Sequence, residues 1–144
     1  MKKIIPYGRQ YIDKSDIQQV ASALSKDKLT TGELTLKFEK EISKFLECKY
    51  SITCNSGTSA LFIALNVLNL KKGDKIIMPS INFIASYSVA KLIGVKVYLA
   101  DVDRFTGQMR PEDVENCCKK FRIKNFNALV VMYNGGYPQN AEKF

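Results

Sequence analysis

"SITCNSGTSALFIAL", residues 51–65, is the stretch whose reading decides the fold. With Tyr50, the residues up to Cys54 read as a short strand. Asn55 to Thr58 are small and polar, and the run that follows is almost wholly apolar to Leu65. Strand, small-residue turn and helix in that order are half of a parallel α/β unit. The turn has two readings. A Ser/Thr cap on a buried helix would look like this. So would a seat for a phosphate, because a helix start offers unpaired N–H groups at the positive end of its dipole. In the second reading Gly57 lets the backbone come close to an anion, and Thr58 and Ser59 add hydroxyl donors. Neither stricter phosphate motif, G-x-x-x-x-G-K-[ST] or G-x-G-x-x-G after a strand, is present.

Working outward, the alternation continues downstream. The sequence predicts a helix over residues 58–70, then "KKGD" turns into the strand "KIIMP". A helix over residues 82–92 is stopped by Gly94, a natural left-handed C′ residue. "VKVYLA" is a third strand, Pro111 opens a helix at its first position with Val114, Cys117, Cys118 and Phe121 inward, and "NALVVMY" is a fourth strand. Upstream, a helix over residues 15–25 carries Ile17, Val20, Ala21 and Leu24 on one face, with Asp13 or Ser15 as its cap. A second helix over residues 34–46 carries Leu34, Phe38, Ile42, Phe45 and Leu46 on one stripe. The expected class is α/β: three layers around a mostly parallel sheet. Ligands of such sheets sit beyond the carboxyl ends of the strands, where Asn82 and Phe83 fall. An aromatic ring there could stack on a flat ligand, although pattern alone favours a core Phe.

Composition narrows the chemistry. The 144 residues are one domain's worth of chain or a piece of a larger one, 46% hydrophobic and 25% charged, as in ordinary globular proteins. No apolar run could span a bilayer, and Pro6, Gly8 and Arg9 interrupt the signal-like start, so a cytoplasmic location is expected. With no histidine and no metal-ligand spacing among Cys48, Cys54, Cys117 and Cys118, metal and Ser-His-Asp sites drop out for this segment. Adjacent Cys117 and Cys118 suit reduced thiols. The net charge of +8 favours anionic partners, but the lysines are dispersed and no interleaved basic and aromatic RNA-binding motif occurs, so nucleic acid is not expected.

Several motifs together resemble a known family. "LTTG", "FEKEISKFLECKYSITCNSGTSALFIAL", "GDKIIMPSINFIAS", "GVKVYLADVD" and "YNGGYP" follow, in order and spacing, the N-terminal part of the DegT/DnrJ/EryC1/StrS sugar aminotransferases. The resemblance implies pyridoxal phosphate (PLP) chemistry, alternating with the amine form PMP, and the large domain of the aspartate-aminotransferase-like fold type I, incomplete in this chain. Residues 1–33 would be an N-terminal arm, helix and substrate loop, and residues 34–144 the start of the sheet. The opening "IPYGRQYIDKSDIQQV" and "LTTG" look most like transaminases acting on UDP-linked 4-keto-6-deoxy sugars, as in pseudaminic acid synthesis, with an amino-acid donor.

Carried over residue by residue, the cofactor phosphate falls on Gly57, Thr58 and Ser59 and the stacking aromatic on Phe83. The nucleotide-sugar contacts fall on Tyr7, Asp27, Lys28, Leu29 and Thr30; Tyr7, Leu29 and Thr30 match the family pattern, whereas Asp27 and Lys28 do not clearly match it. The family's Schiff-base lysine lies beyond Phe144, so the resemblance implies roughly the first two-fifths of a family member, inactive by itself. The strand nearest Tyr50 would likewise come from later sequence, so an unfinished sheet, with poor folding or swapping, is expected. Homodimers are usual in the family. A sugar dehydratase of the same fold, with histidine in place of the lysine, and a non-catalytic binder of PLP or nucleotide sugar both stay open at this point.

Overall fold

A computed structural model describes residues 8–138 and 141–144. The chain divides into two compact units, residues 1–53 and residues 54–144.

In the first unit, α1 (Lys14–Leu24) starts at a reciprocal cap. The Asp13 carboxylate accepts from the N–H of Ser15 at 2.7 Å and of Asp16 at 3.0 Å, and the Asp16 carboxylate accepts from the Asp13 N–H at 2.9 Å. Helix α2 (Glu33–Phe45) follows a turn in which Gly32 is obligatory, since a Cβ there would stand 2.8 Å from the Lys28 carbonyl oxygen. The apolar stripes expected on both helices exist, but Ile17, Val20, Leu24, Phe38 and Phe45 are all exposed.

The second unit is built on a three-stranded parallel sheet in the order β2-β1-β3. Its elements are α3 (Gly57–Val67), β1 (Lys75–Pro79), α4 (Ile84–Ile93), β2 (Lys96–Ala100), α5 (Pro111–Phe121) and β3 (Ala128–Leu129). Strand β1 is central, and its side chains alternate between two cores. Ile76 and Met78 pack with Leu65 of α3, Val89 and Ala90 of α4, and Val95. Ile77 points the other way, into Ala100, Met109, Val114, Cys117 and Ile123. Helices α3 and α4 therefore cover one face and α5 the other, the three layers that the sequence predicts. Gly94 ends α4 at φ +89°, and Pro111 opens α5.

Four expectations are corrected. Residues 50–54 form no strand, because a strand needs a partner and none pairs with them among the described residues. Instead the Thr53 N–H and hydroxyl donate to the Glu39 carboxylate at 2.8 and 2.7 Å. The fourth expected strand shrinks to Ala128–Leu129, with one further ladder bond from the Val130 N–H to the Ile77 carbonyl at 2.9 Å. Helix α3 stops at Val67, before Asn69 takes a left-handed φ of +53°. Phe121 is 45% exposed and lies against Tyr98 at a ring-centroid distance of 5.4 Å rather than in the core. The four cysteines are free thiols, and burial pushes the Cys117 thiol up.

Candidate cofactor site

The turn at residues 55–59 is ordered by its own side chains. Ser56 is the N-cap of α3, its hydroxyl oxygen accepting from the Ser59 N–H at 3.2 Å. The Ser59 hydroxyl donates to Asn55 Oδ1 at 2.6 Å and accepts from the Ser56 hydroxyl at 3.1 Å. The cap thus occupies one of the four N–H groups that a helix start leaves without an intrahelical partner, and the Ala60 N–H reaches the Ser56 carbonyl. Among the described residues the N–H groups of Gly57 and Thr58 meet no acceptor, and both residues are exposed. A Cβ added at Gly57 would meet nothing within 4 Å, so the absent side chain leaves open space.

Across that space stands Phe83, the N-cap residue of α4. An open pocket of about 550 Å³ is lined by Gly57, Thr58, Ala60, Leu61, Ala64 and Phe83. Phe83 is 66% exposed and lies beside the turn, outside both core clusters. Helices α3 and α4 pack side by side, each running back from the carboxyl rim of the sheet, so two helix starts share one rim. Of the four residues expected at the cofactor, Gly57, Thr58 and Phe83 meet in this pocket. Ser59 does not line it; its N–H and hydroxyl serve the cap.

The residues fit a phosphorylated flat ring. Two N–H groups and a positive dipole end suit the phosphate, the missing Cβ of Gly57 leaves room for it, and the apolar wall with Phe83 suits the ring.

The residues expected at the sugar nucleotide lie in the first unit, apart from Tyr7, which lies outside the described residues. Asp27 and Lys28 line a separate pocket of about 610 Å³ with Ser25, Lys26, Thr31, Gly32, Glu33 and Leu36. Leu29 and Thr30 are exposed and do not line it. Thr31 holds this turn at φ +50°.

Sequence reading missed two polar anchors. The Glu39 carboxyl is held below its usual range by the Thr53 N–H and then by the Thr53 hydroxyl. Gln108, only 6% exposed, donates from Nε2 to the Tyr137 carbonyl at 2.8 Å. Neither is part of a periodic pattern, and no local signal marks them. No helix among the described residues is long and apolar enough to cross a membrane.

A parallel three-layer α/β unit with a helix start and an exposed aromatic ring at its carboxyl rim has the architecture of part of the fold type I PLP aminotransferases. The DegT/DnrJ/EryC1/StrS aminotransferase family matches residues 10–139, and the chain belongs to that family, which is PLP-dependent. It is 30% identical over 137 residues to the uncharacterized protein MJ1066 of Methanocaldococcus jannaschii, covering 95% of this chain and 34% of that one. Helicobacter pylori PseC, an aminotransferase in the biosynthesis of pseudoaminic acid, superposes with a TM-score of 0.83 at 26% identity, over 97% of this chain and 37% of that one. GDP-4-keto-6-deoxymannose-3-dehydratase with a trapped PLP-glutamate geminal diamine does so with a TM-score of 0.73 at 26% identity, over 77% and 30%. The chain spans about a third of the length of these relatives.

Proposed function

We propose that the chain is the cofactor-phosphate and substrate-loop portion of a PLP-dependent nucleotide-sugar aminotransferase. The reaction would move an amino group from an amino acid, L-glutamate, to the C4 ketone of a UDP-linked 4-keto-6-deoxy sugar, for glycan synthesis in the cytoplasm. The observation that carries this reading is the meeting of Gly57, Thr58 and Phe83 around one open pocket at a helix start. The likeness to PseC supports the sugar class.

Bound PLP would supply an electron sink for the carbon that gains or loses the amino group. The protein's part is placement. The N–H groups of Gly57 and Thr58 would hold the phosphate, with the Thr58 hydroxyl as a third donor, while Ser59 keeps the turn in shape through Asn55 and Ser56. Phe83 would stack against the cofactor ring. Tyr7, Asp27, Lys28, Leu29 and Thr30 would meet the nucleotide sugar, Lys28 by its charge. Residues 1–33 then serve as arm and substrate loop and residues 34–144 as the start of the sheet, with the catalytic lysine and a homodimeric partner completing the site. By itself the 144-residue chain would not transaminate.

The test compares pyridoxal phosphate with pyridoxal. Tighter binding of the phosphorylated form, lowered by Phe83→Ala, and no 2-oxoglutarate from L-glutamate is the expected result. Equal affinity for the two forms refutes the phosphate seat, and turnover refutes the inactivity. A second reading, a PMP-dependent sugar dehydratase, is supported by the 26% identical dehydratase structure; it shares every residue named here and predicts the same binding.

A further inference from the structure

We propose that the amino-terminal rim of the sheet, opposite the rim that carries the cofactor pocket, is a docking surface for an anionic lipid bilayer.

Lysines that are dispersed in the sequence are gathered by the topology. All three strands run parallel, so β1, β2 and β3 start on one rim, and α4 and α5, which connect them, return to it. Hydrogen bonds tie that rim together. The Lys96 N–H donates to the Asp74 carbonyl at 2.7 Å, the Gly73 N–H to the Gly94 carbonyl at 3.2 Å and the Asn127 N–H to the Lys75 carbonyl at 2.8 Å. The Lys75 N–H donates to Asn127 Oδ1 at 2.9 Å. Residues 69–75, 91–96 and 122–127 therefore form one surface. The first segment brings Lys71, Lys72 and Lys75, the second Lys91 and Lys96, and the third Arg122 and Lys124. Against these seven basic side chains stands one acid, Asp74, so the surface holds a net +6 of the chain's +8.

Helix ends account for only part of this charge. The negative end of a helix dipole favours cations in its last turn, which covers Lys91 of α4 and Arg122 at the end of α5. Lys75 and Lys96 instead begin strands, and they stand directly opposite each other in the register. Like charges so placed destabilise a sheet. Among the described residues no carboxylate forms an ion pair with either, or with any of the other five. The Asp74 carboxylate is engaged by the main chain, its Oδ2 accepting from the Lys71 N–H at 2.7 Å. Six of the seven basic residues are exposed, and Lys75 is half-buried. A surface that keeps unneutralised charge at a cost to the sheet is matched to an anion from outside.

Apolar residues on the same rim favour a lipid over a nucleic acid. Leu68 at the end of α3, Leu92 in the last turn of α4 and Phe126 before β3 are exposed, Leu92 by 75%. Basic side chains around exposed aliphatic ones draw in anionic headgroups and sink apolar area into the boundary beneath them. Leucines offer nucleic-acid bases nothing to stack on. With this rim on a bilayer, the pocket of Gly57, Thr58 and Phe83 at the other end of the strands stays clear of it.

The test is sedimentation of the whole chain with vesicles of equal parts phosphatidylglycerol and phosphatidylcholine, and with phosphatidylcholine alone. Two triple variants remove the same charge: Lys72→Gln, Lys91→Gln and Lys96→Gln on the rim, and Lys37→Gln, Lys40→Gln and Lys44→Gln on α2. The expected result is binding to the anionic vesicles only, weakened by at least about tenfold in the rim variant and far less in the α2 variant. Leu92→Ala should weaken it severalfold. No binding by the parent chain, or equal losses in the two triple variants, overturns the rim as a docking surface. Unchanged vesicle binding by Leu92→Ala overturns lipid as the partner, and so does tighter binding to a single-stranded oligonucleotide than to the vesicles. Urea unfolding checks the cause. Losing Lys96 relieves its opposition to Lys75, so the rim variant should be at least as stable as the parent; lower stability would assign these lysines to the fold and overturn the proposal.

Discussion

Replacing Gly57 by alanine separates a phosphate seat from a plain helix cap. Gly57 is the first residue of α3, preceded by the Ser56 cap, and a methyl group there meets no atom within 4 Å. Folding therefore gains: alanine is favoured over glycine in helices by up to about 1 kcal/mol, less in a first turn, and it restricts the unfolded chain. Binding loses. The methyl enters the space beside the Gly57 and Thr58 N–H groups, where the phosphate would sit, and displaces at least one charge-assisted bond. Such a bond contributes about 1.5–3 kcal/mol, or roughly ten- to hundredfold in Kd.

The assay is paired. Urea unfolding reports the first effect, and fluorescence titrations with pyridoxal phosphate and with pyridoxal report the second. The expected outcome is unchanged or higher stability, a pyridoxal phosphate Kd weakened by at least about tenfold and an unchanged pyridoxal Kd. A cap with no ligand role would leave all affinities alone. Equal losses for both ligands would place the damage at the ring, and loss of stability would contradict the open space at Gly57. Any of these results refutes the reasoning.

Ile77→Ala should cost about 2–5 kcal/mol in urea unfolding, because Ile77 is fully buried between β1 and α5; a loss under 1 kcal/mol would mean that the α5 core is not formed. Ser56→Ala should cost about 1 kcal/mol by removing the α3 cap, and Ser59→Ala less, with helix content by circular dichroism as the check. Gly32→Ala should distort the turn at residues 28–32, since its Cβ would press on the Lys28 carbonyl at 2.8 Å; unchanged proton spectra for Lys28 and Thr31 would refute this. The Asp103 carboxyl is held low, first by the Thr106 N–H, then by the Thr106 hydroxyl, with Phe105 and Arg110 helping. Its unfolded form binds more protons at a given pH, so its contribution is complete above about pH 4 and is lost as pH falls through the lower folded value. Asp103→Asn should flatten the acid limb of a stability profile, and an unchanged limb would refute the assignment.

What was legible in the residues is what short-range physics determines. Helices α3 to α5 and strands β1 and β2 follow from periodicity and from two strong local signals, Gly94 beyond α4 and Pro111 at the start of α5. The cap at Ser56 is equally local. Pairing is not local, and that is where the reading of residues 50–54 failed: "YSITC" has strand composition, but its N–H and hydroxyl at Thr53 end on a helix carboxylate 14 residues earlier. The same limit applies to the stripes of α1 and α2. Period names the face that wants burial and says nothing about what covers it, and Phe38 and Phe45 remain 57% and 83% exposed.

The two halves of the candidate site differ in the same way. The expected phosphate seat, Gly57 to Ser59, is contiguous, so composition could suggest it, although a cap and a seat use the same residue types. The ring wall is not contiguous. Phe83 reaches the turn only because α3 and α4 lie side by side on one face of β1, and no property of "SINFIAS" alone shows on which side of the sheet that ring will stand. Gln108 is harder still, since a buried glutamine in a loop has no periodicity and its partners are main-chain carbonyls, which any residue supplies. A site of this kind is therefore recognisable in sequence by its anion end and only in structure by its walls, and mutations at the walls are the ones whose effects the fold, not the motif, predicts.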